Sequence, residues 1–313
     1  MKVSLIVPLR NESATVGALL QSIAGQAHLP AEVVVVDAGS EDDTAAQVRS
    51  FASPVPLRVL PERELFPGLA RNVGAAAATF PWLAFTDGGV RLEAAWLQEI
   101  ASAAETAHAD VVFGSFDPVC DTCFRRCAAL AYVPPPAASG IRGPSVASMA
   151  LTHEAFDRAS GFPPFRAAED LIFLERLLAL PLRVAYAPRA VVHWELAPDA
   201  RRTFRRFALY SEHNLRAGRG RYWHAGVLRH YMAMGLATTA AALAGGGVWS
   251  LLVYPFWQLA RASRSAWQKR RAFDFPTLDP RHVLGAAALL CLIDLATLAG
   301  ALRWVRQGRP RTA

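Results

Sequence analysis

Glu32-Val-Val-Val-Val-Asp37 decides the fold. Four consecutive valines between two acids describe a strand covered on both faces, as in a parallel sheet; a strand wetted on one face would alternate. The pattern continues outward in both directions. Upstream, Val3-Ser-Leu-Ile-Val-Pro-Leu9 is a second short buried strand, and Asn11 to Ala24 carries Val16, Leu19, Leu20 and Ile23 at helical spacing. Downstream, Ala38-Gly39-Ser40 is a turn, Asp42 to Phe51 a helix, Pro56 to Leu60 a strand and Leu69 to Ala78 a helix of small residues. Trp82-Leu-Ala-Phe-Thr86 is a further strand that ends on Asp87. This alternation implies right-handed crossovers and a doubly wound α/β sheet. Such sheets bind ligands beyond the carboxyl ends of their strands, where Asp37 and Asp87 stand.

Beyond this core the spacing predicts a helix from Trp96 to Ala107, a strand from Asp110 to Ser115 and a helix from Ala168 to Leu180. Leu182 to Tyr186 and Ala190 to Trp194 read as two late strands, and Pro134-Pro-Pro136 and Gly140 to Pro144 as loops. The chain of 313 residues is 53% apolar and 19% charged, with a net charge of +7. That balance suits nucleic acid, an anionic membrane surface or a phosphorylated substrate. No recognition-helix, zinc-finger or RNA-binding signature is present, which excludes nucleic acid as the partner. Cys120, Cys123 and Cys127 fall at intervals that place them on one helix face, without a fourth ligand at zinc-site spacing. They read as buried thiols in a reducing cytosol. The first apolar run is too short for a signal peptide and is broken by Pro8, so the N-terminal part is expected in the cytosol.

Four separated motifs, in order, carry the chemistry. They are Val7-Pro8-Leu9-Arg10-Asn11-Glu12, Val36-Asp37-Ala-Gly39-Ser40-Glu-Asp42-Asp-Thr44, Gly68-Leu-Ala-Arg71-Asn72-Val-Gly74 and Phe85-Thr86-Asp87-Gly88-Gly89. Together they resemble family 2 glycosyltransferases of the GT-A fold, over about residues 3 to 207, which implies a mixed sheet flanked by helices. The resemblance places Pro8, Leu9, Arg10, Glu12, Asp37, Gly39, Arg71, Asn72, Thr86, Asp87 and Gly88 around a nucleotide-sugar donor. Asp37 alone is more commonly a helix-capping or turn aspartate. Arg71 neutralises the donor diphosphate, holds an acidic loop in place, or makes a surface salt bridge. Where the family has Asp-x-Asp, this chain keeps Asp87 but has Gly89. The resemblance implies Mg²⁺ or Mn²⁺ on the diphosphate, weakened by that glycine. His193 falls where some such enzymes add a ligand; a lone histidine is otherwise structural.

Glu169-Asp170 is similar to the family's Glu-Asp pair, with Arg176 matching a following arginine and Ile172 standing where a further acid is common. The resemblance makes Asp170, beside Glu169, the general base of an inverting transfer to an acceptor hydroxyl or lipid phosphate. Alone, the pair reads as acids favoured by a helix N-terminus. Gly89 supports the other reading, a catalytically silent binding or scaffold protein on the same fold. A nucleotidyltransferase would need a glycine-rich loop that Leu9-Arg10-Asn11-Glu12 lacks.

The last third is the apolar part. Asp199 to Arg216 is a basic amphipathic helix, and Arg202, Arg205 and Arg206 either clamp a diphosphate or lipid phosphate or face solvent at an interface. Tyr231 to Ala260 has no charged residue and would reach about 45 Å as one helix. Val283 to Leu302 is a second apolar segment with Asp294 inside. The linker between them is basic (Arg261, Arg264, Lys269, Arg270, Arg271, Arg281), as is the tail (Arg303, Arg306, Arg309, Arg311). Two plain crossings would put the linker against the positive-inside trend, whereas a hairpin bent at Gly245-Gly-Gly247 would not; both stay open. The expected organisation is a catalytic domain at 1–198, an interfacial helix at 199–230 and a membrane-associated region at 231–313. It places the enzyme on the inner membrane with the catalytic domain cytosolic and a lipid-linked or glycan acceptor.

Overall fold

A computed structural model describes residues 1–307; Arg309 and Arg311 lie outside the described residues. The chain forms two compact units, Met1–Val119 with Pro136–Glu195, and Cys120–Pro135 with Leu196–Ala313.

The first unit is built on an eight-stranded sheet. Its strands are β1 (Val3–Leu9), β2 (Glu32–Asp37), β3 (Leu57–Pro61), β4 (Trp82–Phe85), β5 (Val90–Leu92), β6 (Val111–Pro118), β7 (Met149–Thr152) and β8 (Val184–Trp194). They lie in the order β3-β2-β1-β4-β7-β6-β8-β5. β3, β2, β1 and β4 are mutually parallel, and β7 is antiparallel to both β4 and β6. The valine run is β2, and its side chains divide as the period of a strand requires. Val33 and Val35 join one buried cluster with Leu5, Val7 and the helices α1 (Val16–Ala24) and α4 (Trp96–Ala107). Val34 and Val36 pack on the other face against Ala70 of α3 (Pro67–Ala77). Both faces are covered, so no polar position is tolerated in the run.

The sheet is mixed, as the family resemblance implies, with the alternating strand–helix part forming its parallel portion β3-β2-β1-β4. β5 has three residues and β7 four, too short for the hydrophobic period to register. The two late strands are one, β8, whose register against β6 slips between Gly114 and Ser115. The slip skips Pro188, which cannot donate to a ladder, so the proline interrupts the pattern without ending the strand. The remaining helices of this unit are α2 (Thr44–Ser50), α6 (His153–Arg158) and α7 (Glu169–Ala179).

The second unit is helical: α5 (Cys123–Tyr132), α8 (Ala200–Arg216), α9 (Gly220–Ala241), α10 (Val253–Gln268) and α11 (Pro280–Arg306). Cys120 precedes α5, so only Cys123 and Cys127 share its face, the first exposed and the second buried. Burial, and then the neighbouring Cys123, push the Cys127 thiol up to about 11. α9 begins at Gly220, so the expected boundary at 231 falls inside a helix; charge changes there, but helical structure does not. The triple glycine breaks the chain into a π turn and a 3₁₀ turn, with Gly245 at φ 88° and Gly247 at φ 50°. α10 then returns along α9, where Trp257 Nε1 donates to His230 Nδ1 at 2.9 Å. The apolar stretch is a helical hairpin, because only glycine takes these positive φ values without cost.

Close packing of α3 on the sheet rests on Gly74, whose added Cβ would lie 2.5 Å from Ile6 Cγ2 and 3.2 Å from Val36 Cγ2. Gly74→Ala is expected to destabilise the chain by about 1–3 kcal/mol through overpacking, read from the midpoint of urea unfolding.

Candidate active site

The carboxyl ends of β1, β2 and β4 deliver the acidic motifs to one edge of the sheet. The loops after β1 and β2 are laced together by side chains. Asn11, at φ 55°, accepts from Glu41 N at 2.9 Å through Oδ1 and donates its own N–H to Ser40 Oγ at 3.0 Å. Glu12 N donates to Thr44 Oγ1 at 2.7 Å, and Ser13 N to Asp42 Oδ2 at 3.1 Å. Donation from Thr44 and Ser13 holds the Asp42 carboxyl well below the usual range. Asp37 is buried at the end of β2 and accepts from Ser40 N at 3.1 Å, a turn-forming bond. Gly39, at φ 83°, permits that turn, and Arg10 lies 3.6 Å from Glu64.

Arg71 is the centre of the arrangement. Its side chain is 5% exposed, its Nη2 donates to Asp87 Oδ1, and its Nη1 lies 3.6 Å from Glu169 Oε1. Its guanidinium sits over the Phe162 ring, 5.3 Å from the centroid. Burial works against the charge; Asp87, Glu169 and Asp170 outweigh it, and the guanidinium pKa rises above its ordinary value. Arg71 Nε and Nη1 have no hydrogen-bond partner among the described residues, nor has Thr86 Oγ1. Buried donors without partners are rare and mark places where a ligand completes the set. Gly68 lets α7 come close: a Cβ there would lie 2.8 Å from Glu169 Cγ and 2.9 Å from Phe162 Cβ.

Glu169 and Asp170 open α7 behind Ala168, which is left-handed at φ 77°. Glu169 is buried, whereas Asp170 is half-buried and accepts from its neighbour Leu171 N at 2.8 Å. Burial first, and Asp170 second, raise the Glu169 carboxyl to about 7 against the pull of Arg71.

A divalent cation requires hard oxygens. Asp87 offers a carboxylate whose side chain is 35% exposed. Gly89 offers none, but Glu12 reaches over it. A Cβ at Gly88 would lie 2.8 Å from Glu12 Cγ, and one at Gly89 3.7 Å from Glu12 Oε2. That oxygen accepts from Thr15 Oγ1 at 2.5 Å, which aims it. Glu12 therefore places a carboxylate where the missing acid would project, a relation between distant positions that motif reading had no means to find. Among the described residues no group of three or more His, Cys, Asp or Glu is placed to hold a metal ion. The residues fit a cation that takes further oxygens from a bound diphosphate, as Mg²⁺ commonly does.

Asn72 clamps the Phe162 backbone, donating to its carbonyl and accepting from its N–H, both at 2.8 Å. Pro8 and Leu9 close β1, and Thr86 N–H donates to Ile6 O at 3.3 Å. His193 stands in β8 opposite Arg91 and pairs through Nε2 with Glu93. Arg176 is exposed on α7. Arg202, Arg205 and Arg206 lie on α8 in the second unit, where the Arg202 N–H is capped by Asp199 Oδ1 at 2.7 Å.

Against known proteins, the profile described as Glycosyl transferase family 2 matches residues 4–143. A validoxylamine A glucosyltransferase of Streptomyces hygroscopicus subsp. limoneus is 36% identical over 37% of this chain and 27% of its own length. The succinoglycan biosynthesis protein ExoO of Rhizobium meliloti is 31% identical over 37% and 34%. A PGL/p-HBAD biosynthesis glycosyltransferase of Mycobacterium bovis is 36% identical over 36% and 45%. The chain thus spans less than half the length of these curated relatives. Among solved structures, the mannosyltransferase PcManGT of Pyrobaculum calidifontis, in complex with GDP-Man and Mn²⁺, aligns with a TM-score of 0.57 at 19% identity, over 98% of this chain and 88% of that one. S. aureus TarS 1-349 in complex with UDP-GlcNAc aligns at 0.51 and 17% identity, over 100% and 93%. The fold is GT-A, and residues 4–143 match glycosyl transferase family 2.

An acid whose folded pKa exceeds its unfolded value binds its proton more tightly when folded, so stability falls as pH rises between the two. For Glu169 that window runs from its ordinary 4.5 to about 7. The melting temperature of the wild type is expected to fall across this window relative to that of Glu169→Gln, with the difference level above it. Thermal unfolding of both proteins, followed by circular dichroism over a pH series, reads the two curves; parallel curves would contradict a proton held by Glu169.

Proposed function

We propose that the chain is an inverting glycosyltransferase that moves a sugar from a nucleoside-diphosphate donor to an acceptor presented at the cytosolic face of the inner membrane. The observation that carries this reading is the buried Arg71, paired with Asp87 and Glu169 yet left with two donors unfilled, beside the half-buried Asp170. The complexes of PcManGT with GDP-Man and Mn²⁺ and of TarS with UDP-GlcNAc support a nucleotide-sugar donor.

In this reading Pro8, Leu9, Arg10, Asp37 and Gly39 line the nucleoside, and Thr86, Asp87 and Gly88 underlie the diphosphate. Asp87 and Glu12 would hold Mg²⁺ or Mn²⁺, which supplies charge to offset that of the departing diphosphate. Asp170 takes the proton of the acceptor hydroxyl as its oxygen bonds to the anomeric carbon. The bond from that carbon to the donor diphosphate breaks on the opposite side, so the configuration inverts. A lipid phosphate acceptor already carries its charge and would need no base. Glu169 keeps Arg71 in place, and burial first, with Asp170 second, raises its own carboxyl to about 7.

The proposed organisation keeps 1–198 as the catalytic part and assigns membrane attachment to residues 199–313. Two helical stretches there, Gly220–Gln268 and Pro280–Arg306, are by length and composition apolar and long enough to cross a membrane. Arg202, Arg205 and Arg206 on α8 would face lipid phosphate.

Donor turnover by detergent-purified protein, screened over nucleotide-sugars with Mg²⁺, Mn²⁺ or EDTA, tests the transfer chemistry. Asp170→Asn is expected to lower turnover by about 10²–10⁴-fold with donor binding retained. Absence of both turnover and donor binding would instead favour the catalytically silent scaffold. Glu12→Gln is expected to weaken Mn²⁺ binding in the presence of nucleoside diphosphate, measured by the loss of the free-Mn²⁺ paramagnetic resonance signal. Equal Mn²⁺ binding by the variant would remove Glu12 from the cation site.

A further inference from the structure

α11 has the composition of a membrane span but not the neighbours of one. It is 27 residues long, and 44% of its most apolar window is buried inside the protein. Its N-terminal part packs on α5 and α10, where Val283, Ala286 and Ala287 cluster with Leu130, Ala262 and Ala266. Its C-terminal part packs on α8, where Ala296 meets Phe207 and Ala208, and Ser211 Oγ donates to Thr297 O at 2.7 Å. Gly300 permits the approach, since a Cβ there would lie 2.7 Å from Ser211 Cβ. The two helices run parallel to their ends, where Arg216 meets Gln307.

α8 is therefore alongside α11, and it brings Arg201, Arg202, Arg205, Arg206 and Arg216. An arginine at the centre of a spanning helix costs on the order of 2.5–3.5 kcal/mol, whereas a leucine contributes roughly 0.5 kcal/mol. The exposed face of α11 offers Leu284, Leu295, Leu298, Leu302 and Val305, which do not offset even two of these arginines. That same face is a charge-free stripe stepping by fours and threes from Leu284 through Ala288, Cys291, Leu295, Leu298 and Leu302 to Val305. A helix with one apolar face and a charged companion on the other lies in the plane of a bilayer surface.

The hairpin gives the depth. Its base is marked by Arg229 and Arg261, and no charged residue lies between Tyr231 and Ala260. From Tyr231 to Gly245 the chain climbs about 22 Å as helix, short of a hydrocarbon core of about 30 Å. At the tip, Leu243 is 84% exposed and Trp249 73%. At the base, Arg261 Nη1 pairs with Asp294 Oδ2 at 2.7 Å, and the Tyr231 hydroxyl donates to the same oxygen at 3.2 Å. Asp294 is the middle of α11. Its midpoint is thus tied to the level of the hairpin base, not to the bilayer centre where a spanning helix would have it.

We infer that the second unit is monotopic: the α9–α10 hairpin enters the bilayer from one face without reaching the other, α11 lies along the surface on that same face, and no segment crosses. The occupant of the exposed apolar surfaces is a lipid bilayer, with the arginines of α8, Arg270, Arg271, Arg303 and Arg306 on its anionic headgroups. The inference rests on the membrane attachment proposed above, and one experiment separates the two. Full-length protein is made with epitopes at its N-terminus, at Asp274 in the linker and after Ala313, and cell membranes are prepared as inverted and as right-side-out vesicles. Protease is expected to remove all three epitopes from inverted vesicles and none from right-side-out ones. If the protein pellets with membranes but the C-terminal epitope is cut in the opposite vesicles from the linker epitope, α11 crosses and the monotopic arrangement is overturned. If it stays in the soluble fraction after lysis, membrane attachment fails and the inference fails with it.

Discussion

The first unit depends on keeping one guanidinium charged without water. Arg71 is enclosed by Phe162, Asp87 and Glu169, which come from a loop, the end of β4 and the start of α7. An isolated buried charge of this kind costs several kcal/mol, so each of these elements is fixed by the need to neutralise it. The close approach at Gly68 and the Asn72 clamp on Phe162 follow from that need. The proton affinity of Glu169 belongs to the same enclosure: burial first, and the neighbouring Asp170 second, raise its carboxyl against the pull of Arg71. The unfilled Arg71 donors leave that side of the arrangement open to a further hydrogen-bond acceptor.

Much of this was legible in the residues. The valine run announced a strand buried on both faces, and β2 divides its valines between two cores as that reading requires. The four motifs converge because parallel strands deliver their carboxyl ends to one edge, a rule of topology that spacing alone can apply. What stayed hidden has physical causes. β5 and β7 are too short to express a period, and β8 absorbs a proline through a slipped register. The partnership of Glu12 with Gly88 and Gly89 joins residues far apart in sequence, and only the packed turn displays it. Composition also misled in one respect: a helix as apolar as α11 need not face lipid on all sides, because a neighbouring helix can bury half of it.

The path of the chain through its two units has a consequence for how the protein is made. β6 and β7 are hydrogen-bonded neighbours, yet the segment between them, Cys120–Pro135, is built into the helical unit. On a ribosome α5 emerges long before α10 and α11, the helices that cover Leu130 and Cys127. For the time needed to synthesise more than a hundred residues, its apolar face has no native partner, while the sheet around it can already pair. Nascent chains are therefore most vulnerable to wrong association through α5, and a chaperone or the membrane itself has its longest opportunity to act there.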